Sequence, residues 1–134
     1  MAITGVNHIT LAVTDLDRSV AFYRDRLGLR LRAVWSEGAY LTSGALWLCL
    51  SLAPRVDVRG DYSHIAFDVS EQDFPLLVER LGVDATLWQD NVSEGASTYL
   101  LDPDGHKLEL HVGGIDARLD HYRKHPEKGV TVLD

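Results

Sequence analysis

The chain repeats itself, and this repetition constrains its fold more than any other feature. Residues 6–13 read Val-Asn-His-Ile-Thr-Leu-Ala-Val, and residues 62–69 read Tyr-Ser-His-Ile-Ala-Phe-Asp-Val. Both are short strand-like runs with histidine in third place, and each is followed by a helical pattern and then by further strands. A half of roughly 60 residues buries too little surface to be comfortable alone, so we expect the halves to pair, within or between chains.

Helical spacing follows each strand-like run. Apolar residues recur every three or four positions over 16–27, after Asp15, which suits a helix N-cap, and before Gly28, which suits a helix end. In the second half the pattern covers 74–81, with Ser70 and Asp73 as a capping pair ahead of it. Pro75 predicts a late start or a kink there. Further strands are predicted at 30–35, 39–42, 46–51, 84–89, 98–101 and 106–112, and a last helix from about 115 to 125, before Pro126.

These patterns predict an α+β fold in one domain, residues 1–134. Half-units of about 4–55 and 60–114 are each read as a βαβββ motif, and a C-terminal helix and tail follow. Each motif would form a curved mixed sheet with its helix outside, and the two sheets would face each other across a cavity.

Composition narrows the class of protein. The 134 residues suit one compact domain, and the sequence shows neither an apolar run of about 20 residues nor a signal peptide, so a cytoplasmic location is expected. Cys49 is the single cysteine, which excludes an internal disulfide framework. The net charge is −7 without a basic stripe, so neither a nucleic-acid partner nor a membrane partner is expected.

Three side chains could form a metal site. Strand alternation places His8 on one face with Thr10, and His64 takes the matching position in the second half. Glu109 lies between two leucines, where a carboxylate is costly unless it is paired or binds a cation. Two imidazoles and one carboxylate would suit Mn²⁺, Fe²⁺ or Zn²⁺. Each residue alone is also consistent with an ordinary structural role, so spacing leaves both readings open.

The other histidines and one loop have less specific patterns. Residues 91–99 combine glycine with small hydroxyl residues, which suits an oxyanion or monovalent cation site but equally an ordinary loop. His111 shares a face with Glu109 and is given a structural role. Solvent exposure is expected for His106, His121 and His125.

Five segments together resemble one family of enzymes. They are Asn-His-Ile-Thr-Leu-Ala-Val at 7–13, Gly-Ala-Tyr-Leu at 38–41, Leu-Trp-Leu-Cys-Leu at 46–50, Ser-Glu-Gly-Ala-Ser-Thr-Tyr at 93–99, and Leu-Asp-Pro-Asp-Gly-His-Lys-Leu-Glu at 101–109. The chain resembles, from residue 4 to about 126, the fosfomycin-resistance glutathione transferases of the FosA type. These belong to the vicinal oxygen chelate superfamily, whose other branches include glyoxalases, bleomycin resistance proteins and dioxygenases.

The resemblance implies a domain-swapped homodimer that opens the epoxide of fosfomycin with the thiol of glutathione. It implies that His8 of one chain and His64 and Glu109 of the other bind Mn²⁺, with Zn²⁺ or another divalent ion as an alternative. It further implies a K⁺ site and a pocket. The K⁺ loop would consist of Asn91, Ser93, Gly95 and Ser97. The substrate-binding residues would be Trp47, Cys49, Ser93, Ser97, Tyr99 and Arg118. The catalytic residues would be Thr10 and Tyr40.

The sequence departs from the family pattern at four positions. Gln89 and Val92 replace a lysine and an arginine, so two positive charges are missing, while Glu37 and Glu127 replace a glutamine and a tyrosine. Weaker phosphonate binding and repulsion of an anionic thiol are expected. Thiol transfer is the predicted reaction. The alternatives are hydrolysis of the same epoxide, with Glu37 activating water, metal-free sequestration of the drug, and a glyoxalase-type lyase or isomerase reaction.

Overall fold

Two four-stranded sheets of the same topology form the frame of the protein. The structure is a computed structural model, and it describes residues 2–133. Its strands are β1 Ile9–Val13, β2 Arg30–Trp35, β3 Gly38–Ser43, β4 Leu46–Leu52, β5 Ile65–Asp68, β6 Leu87–Gln89, β7 Ser97–Leu101 and β8 Lys107–His111. Its helices are α1 Leu16–Ala21, continued by a π turn at Phe22–Arg26, then α2 Phe74–Leu81 and α3 Ile115–Lys124, with a 3₁₀ turn at Pro126–Lys128.

Each sheet is one βαβββ motif. The strand orders are β1-β4-β3-β2 and β5-β8-β7-β6, and in both sheets the first strand lies parallel to the last while the other pairs are antiparallel. A parallel pair needs a long crossover connection, and α1 and α2 begin these crossovers. The predicted α+β class with paired βαβββ motifs is confirmed.

The first helix begins where the sequence predicts but ends differently. Asp15 is the N-cap, and its carboxylate accepts a hydrogen bond from the Arg18 amide at 3.0 Å. The predicted single α-helix over 16–27 instead widens into the π turn, where the Leu27 amide donates to the Phe22 carbonyl at 3.2 Å. A π turn contains an extra residue per turn, which apolar spacing does not reveal.

Pro75 does not have the predicted effect on the second helix. The helix begins at Phe74, and Pro75 lies in its first turn, where the missing N–H has no partner within the helix. Neither a delayed start nor a kink is needed. The Ser70 hydroxyl accepts from the Asp73 amide at 3.1 Å, whereas the Asp73 side chain makes no capping bond, so only one half of the predicted capping pair forms.

Strand alternation separates a core face from a polar face in each sheet. On the core side, leucines of the inner strands are almost fully buried, and the partly buried Phe22 and Phe74 pack against this core. Burial of these side chains is the main source of stability. The buried leucines are Leu41, Leu48, Leu50, Leu100, Leu108 and Leu110. The opposite faces carry the polar residues described below.

Polar contacts, one of them buried, join the two halves on the helix side. Tyr23 is fully buried and donates through its hydroxyl to Asp102 at 2.8 Å, while the Thr14 hydroxyl donates to Asp104 at 2.5 Å. His106 is half-buried, with Nε2 2.7 Å from the Ala12 carbonyl, so the predicted solvent exposure of this histidine is wrong. His121 and His125 are also only partly exposed, so the same prediction fails for them. Contacts within one chain therefore join the two halves on the side that carries the helices.

Within residues 2–133, no helix is both long and apolar enough to cross a bilayer.

Candidate functional site

The polar face of the first half collects five of the residues singled out in the sequence. Strand register aligns Thr10 on β1 with Cys49 on β4, and Cys49 with Tyr40 on β3. The His8 ring stacks on Trp47 at 4.6 Å between centroids, and Trp47 contacts the edge of Tyr40 at 5.4 Å. We call this set, with its exposed His8 and Tyr40, the first donor face.

The polar face of the second half contains a denser group. Ala66 on β5 aligns with Glu109 on β8, and Glu109 aligns with Tyr99 on β7. His64 lies just before β5, and its Nε2 is 3.0 Å from Glu109 Oε1. Ser97 donates through its hydroxyl to the other carboxylate oxygen of Glu109. We call the set of His64, Ser97, Tyr99, Glu109 and His111 the second donor face.

The His64–Glu109 pair has the chemistry of a cation site. The Tyr62 carbonyl lies 2.8 Å from His64 Nδ1, so it accepts a hydrogen bond from that nitrogen. In a neutral ring this leaves Nε2 as an acceptor that faces a second acceptor, the Glu109 carboxylate. Glu109 is only 5% exposed, and a buried carboxylate beside an imidazole lone pair is stabilised by a cation between them. The pair fits a divalent ion.

One chain does not complete the predicted triad by itself. No group of three or more His, Cys, Asp or Glu side chains within residues 2–133 is arranged to hold a metal. His8 lies on the first sheet, whereas His64 and Glu109 lie on the second. The structure therefore brings together two of the three predicted ligands.

The oxygens of loop 91–97 converge. The Asn91 side-chain amide donates to the Gly95 carbonyl at 2.9 Å, and the Ser93 hydroxyl donates to Asn91 Oδ1 at 2.8 Å. Gly95 lies against the Val112 carbonyl, so a Cβ at this position would collide with backbone. Ser97, at the start of β7, joins the loop to Glu109. The donor set of amide, hydroxyl and carbonyl oxygens fits a monovalent cation.

Glu94 was not predicted as a site residue, yet it lies at the centre of a buried network. Its carboxylate contacts Nε of Arg118, which projects from α3, and it lies 3.9 Å from His111 Nε2. His111 Nδ1 is 3.0 Å from the Ser97 hydroxyl and 3.2 Å from Glu109 Oε2. A glutamate in a polar loop resembles a surface residue in sequence, so only the fold reveals its burial. His111 is likewise part of this network.

Aromatic rings line the rest of the second donor face. Tyr62, His64, Trp88 and Tyr99 contact one another with centroid separations of 4.9 to 6.1 Å. Burial, reinforced by the charge of Glu109, raises the pKa of the Tyr99 hydroxyl, which keeps it a neutral donor at physiological pH. Gln89 donates to the Tyr62 hydroxyl at 3.0 Å.

The other positions that depart from the family pattern lie at the surface. Val92 is 76% exposed, Glu37 lies in the turn between β2 and β3, and Glu127 is in the 3₁₀ turn. His125 Nδ1 lies 3.0 Å from Glu127, and hydrogen bonds from backbone and from this histidine lower the pKa of Glu127. These negative charges therefore lie outside the buried network.

A cavity of about 810 Å³ lies between the two halves. It is lined by His8 and Trp47 from the first half and by Asp68, Leu76 and Arg80 from the second, among other residues. Neither Glu109 nor Thr10 borders it. The cavity is therefore separate from the His64–Glu109 pair.

Known proteins of one superfamily match almost the whole chain. The model of the glyoxalase/bleomycin resistance protein/dioxygenase superfamily matches residues 5–110. A glutathione transferase FosA from Serratia marcescens is 51% identical, over 95% of this chain and 94% of its own length. A metallothiol transferase FosB from Lysinibacillus sphaericus is 37% identical, over 92% of this chain and 93% of its own.

A solved structure supports the same relationship. The fosfomycin resistance protein FosX from Listeria monocytogenes, crystallised with Mn(II) and sulfate, superimposes with a TM-score of 0.74 at 28% identity, over 87% of this chain and 98% of its own. The family resemblance predicted from the five sequence segments is confirmed. The chain belongs to the glyoxalase/bleomycin resistance protein/dioxygenase superfamily and, within it, to the Fos proteins.

Proposed function

We propose that this protein is a glutathione transferase that inactivates fosfomycin by adding the thiol to its epoxide. The observation that carries the proposal is the His64–Glu109 pair, joined through Ser97 and His111 to Arg118. A site for a divalent cation thus lies beside a guanidinium, the arrangement that an epoxide bearing a phosphonate requires. The FosA relative supports the choice of glutathione as the thiol.

The active protein would be a homodimer that completes each site across two chains. Among residues 2–133, β1 and β5 each have a paired strand on one side only, and such open edges favour pairing with another chain. His8 of one chain would join His64 and Glu109 of the other. Exposed apolar side chains such as Val6 and Leu76 also favour association.

The divalent ion, Mn²⁺ or in its place Zn²⁺, would be held by His8, His64 and Glu109. When bound, it supplies Lewis acidity toward the epoxide oxygen. The Tyr62 carbonyl keeps His64 oriented, and Ser97 keeps the Glu109 carboxylate oriented.

The remaining residues of the second donor face and loop 91–97 would bind the phosphonate. Arg118 offers guanidinium N–H groups, and Tyr99 offers a neutral hydroxyl. Oxygens of Asn91, Ser93, Gly95 and Ser97 would hold K⁺, whose charge offsets that of the phosphonate. Binding would fix the epoxide in one orientation for attack.

The first donor face would serve the thiol and the epoxide. Thr10 would hydrogen-bond the epoxide oxygen, and Tyr40 would assist loss of the thiol proton. Trp47 and Cys49 would line the pocket beside the substrate carbon atoms. The glutathione sulfur forms a bond to one epoxide carbon while the carbon–oxygen bond breaks, and the resulting alkoxide takes up a proton. A cytoplasmic location fits this reaction, because thiols are kept reduced there.

Phosphorus NMR of fosfomycin separates this proposal from its rivals. Protein with Mn²⁺ and K⁺ is incubated with the drug, with and without glutathione. A thiol adduct formed only with glutathione supports the transferase. A diol without thiol would instead identify a hydrolase, and an unchanged but bound drug would identify sequestration.

Mixed dimers test the shared site. His8→Ala and His64→Ala chains are inactive separately, but a heterodimer of the two combines one doubly defective site with one intact site. Random mixing of equal amounts is expected to restore about a quarter of wild-type activity, because half the dimers are mixed. If the site lies within one chain, mixing restores nothing.

A further inference from the structure

Glu94 is a buried charge that the proposed reaction does not use. Its side chain is only 10% exposed, although it lies in a polar loop. An ionised carboxylate is costly in such a position unless an opposite charge compensates for it. Here the compensating charge is Arg118, the guanidinium proposed to bind the phosphonate.

The contact holds Arg118 by one particular atom. Glu94 Oε2 meets Arg118 Nε, and both atoms are buried without a properly aligned hydrogen bond. The Arg118 side chain as a whole is 36% exposed, so its exposed surface lies away from Nε. Nη2, on the same edge of the guanidinium as Nε, is 3.5 Å from His111 Nε2. Glu94 and His111 therefore hold one edge of the group, and Nη1, on the other edge, is directed away from both residues.

We propose that Glu94 is a positioning residue that sets the affinity for the phosphonate by holding Arg118 through Nε. A guanidinium has five N–H donors in a fixed plane, so anchoring one edge orients the others toward an anion. The negative charge of Glu94 would itself repel the phosphonate, so Glu94 favours binding only by orienting Arg118. This inference rests on the proposed function in one respect, the role of Arg118 in anion binding.

Equilibrium binding of fosfomycin, measured by calorimetry on Mn²⁺-loaded protein without glutathione, tests the proposal. Glu94→Gln keeps the size of the side chain and removes its charge; we expect Kd to rise about tenfold, as for loss of one oriented charge-assisted contact. Glu71→Gln, at an exposed position, is the control and should bind normally. Melting temperatures are recorded for every variant, and Glu94→Asp, which keeps the charge, replaces Glu94→Gln if that variant does not fold.

The double variant Glu94→Gln, Arg118→Ala tests whether Glu94 acts on fosfomycin binding through Arg118. If Glu94 acts through Arg118, its substitution adds nothing once Arg118 is gone. Unchanged Kd in Glu94→Gln, or an equal further loss in the Arg118→Ala background, would overturn the proposal. A lower melting temperature with normal Kd would also overturn it, because Glu94 would then merely tether the loop.

The two proposals fail in different ways. Wild-type protein that binds fosfomycin but forms no thiol adduct overturns the transferase reaction. The positioning role of Glu94 is then still tested by the binding measurements on the Glu94 and Arg118 variants. Arg118→Ala protein that binds fosfomycin normally overturns the positioning role and the phosphonate role of Arg118 together.

Discussion

Replacing Tyr23 by phenylalanine removes one hydroxyl from the contact between the two halves. That hydroxyl donates to Asp102 at 2.8 Å, and the two residues are 0% and 5% exposed. A buried hydrogen bond to a charged group contributes about 1.5–3 kcal/mol. The other Asp102 oxygen still accepts from the amides of Asp104 and His106, so we expect a loss of about 2 kcal/mol in the free energy of unfolding.

The same variant has a pH signature. Burial, and then the charge of Asp102, raises the pKa of Tyr23 well above its ordinary value near 10. As pH rises past about 10, the unfolded chain loses this proton while the folded protein keeps it, so the wild-type stability falls. The stabilisation is complete below that pH and is lost above it, so the stability difference from the phenylalanine variant should shrink in alkali.

Urea unfolding followed by circular dichroism measures both effects, at one fixed protein concentration because association shifts apparent stability. Tyr122→Phe, on helix α3, where no residue is fully buried, is the matched control and should change little. A loss below about 0.5 kcal/mol, the scatter of ordinary surface substitutions, would refute the reasoning. So would a stability difference that stays constant above pH 10.

Three further substitutions test the proposed site. Glu109→Gln should weaken Mn²⁺ binding by at least about 100-fold in calorimetry, since even supporting partners of metal ligands contribute 10–100-fold; full metal content would reject the site. Gly95→Ala places a Cβ against the Val112 carbonyl and should destabilise the protein by about 1–3 kcal/mol and reduce activation by K⁺; an unchanged urea midpoint and K⁺ response would contradict this. Gln89→Lys exchanges the bond to Tyr62 for a positive charge beside the second donor face and should lower the KM for fosfomycin about three- to tenfold in steady-state assays; an unchanged or higher KM would count against it.

Local patterns were sufficient to predict the architecture. The repeated run of strand, helix and strands predicted both sheets, because alternation and capping are decided by neighbouring residues. Asp15 caps α1 as its position indicates. The π turn at Phe22–Arg26 was not predicted because apolar spacing does not reveal an extra residue in a turn, and the half-buried ring of His106 was not predicted because it depends on a contact with the other half.

The candidate site was predictable only in part. Glu109 stands out because a carboxylate between two leucines of a strand is costly to bury, and His64 stands out because it repeats the position of His8. The structure places the two side chains 3.0 Å apart. Glu94 was missed because its partner Arg118 lies on a distant helix, and loop composition does not reveal burial. Tyr23 lies within the apolar pattern over 16–27, which does not reveal its bond to Asp102, 79 positions away in the sequence.

The register of the two sheets gives the repeat a chemical asymmetry. Cys49 aligns with Thr10, two residues after His8, just as Glu109 aligns with Ala66, two residues after His64. A perfect repeat would therefore offer an ion four ligands, two histidines and two carboxylates. This chain offers a thiol in place of the fourth, and a hard ion such as Mn²⁺ prefers oxygen to sulfur. In the proposed metal site, this difference between the repeats would leave the ion one more coordination position for the substrate, so the residue at position 49 would decide whether protein side chains alone fill the ion's coordination sphere.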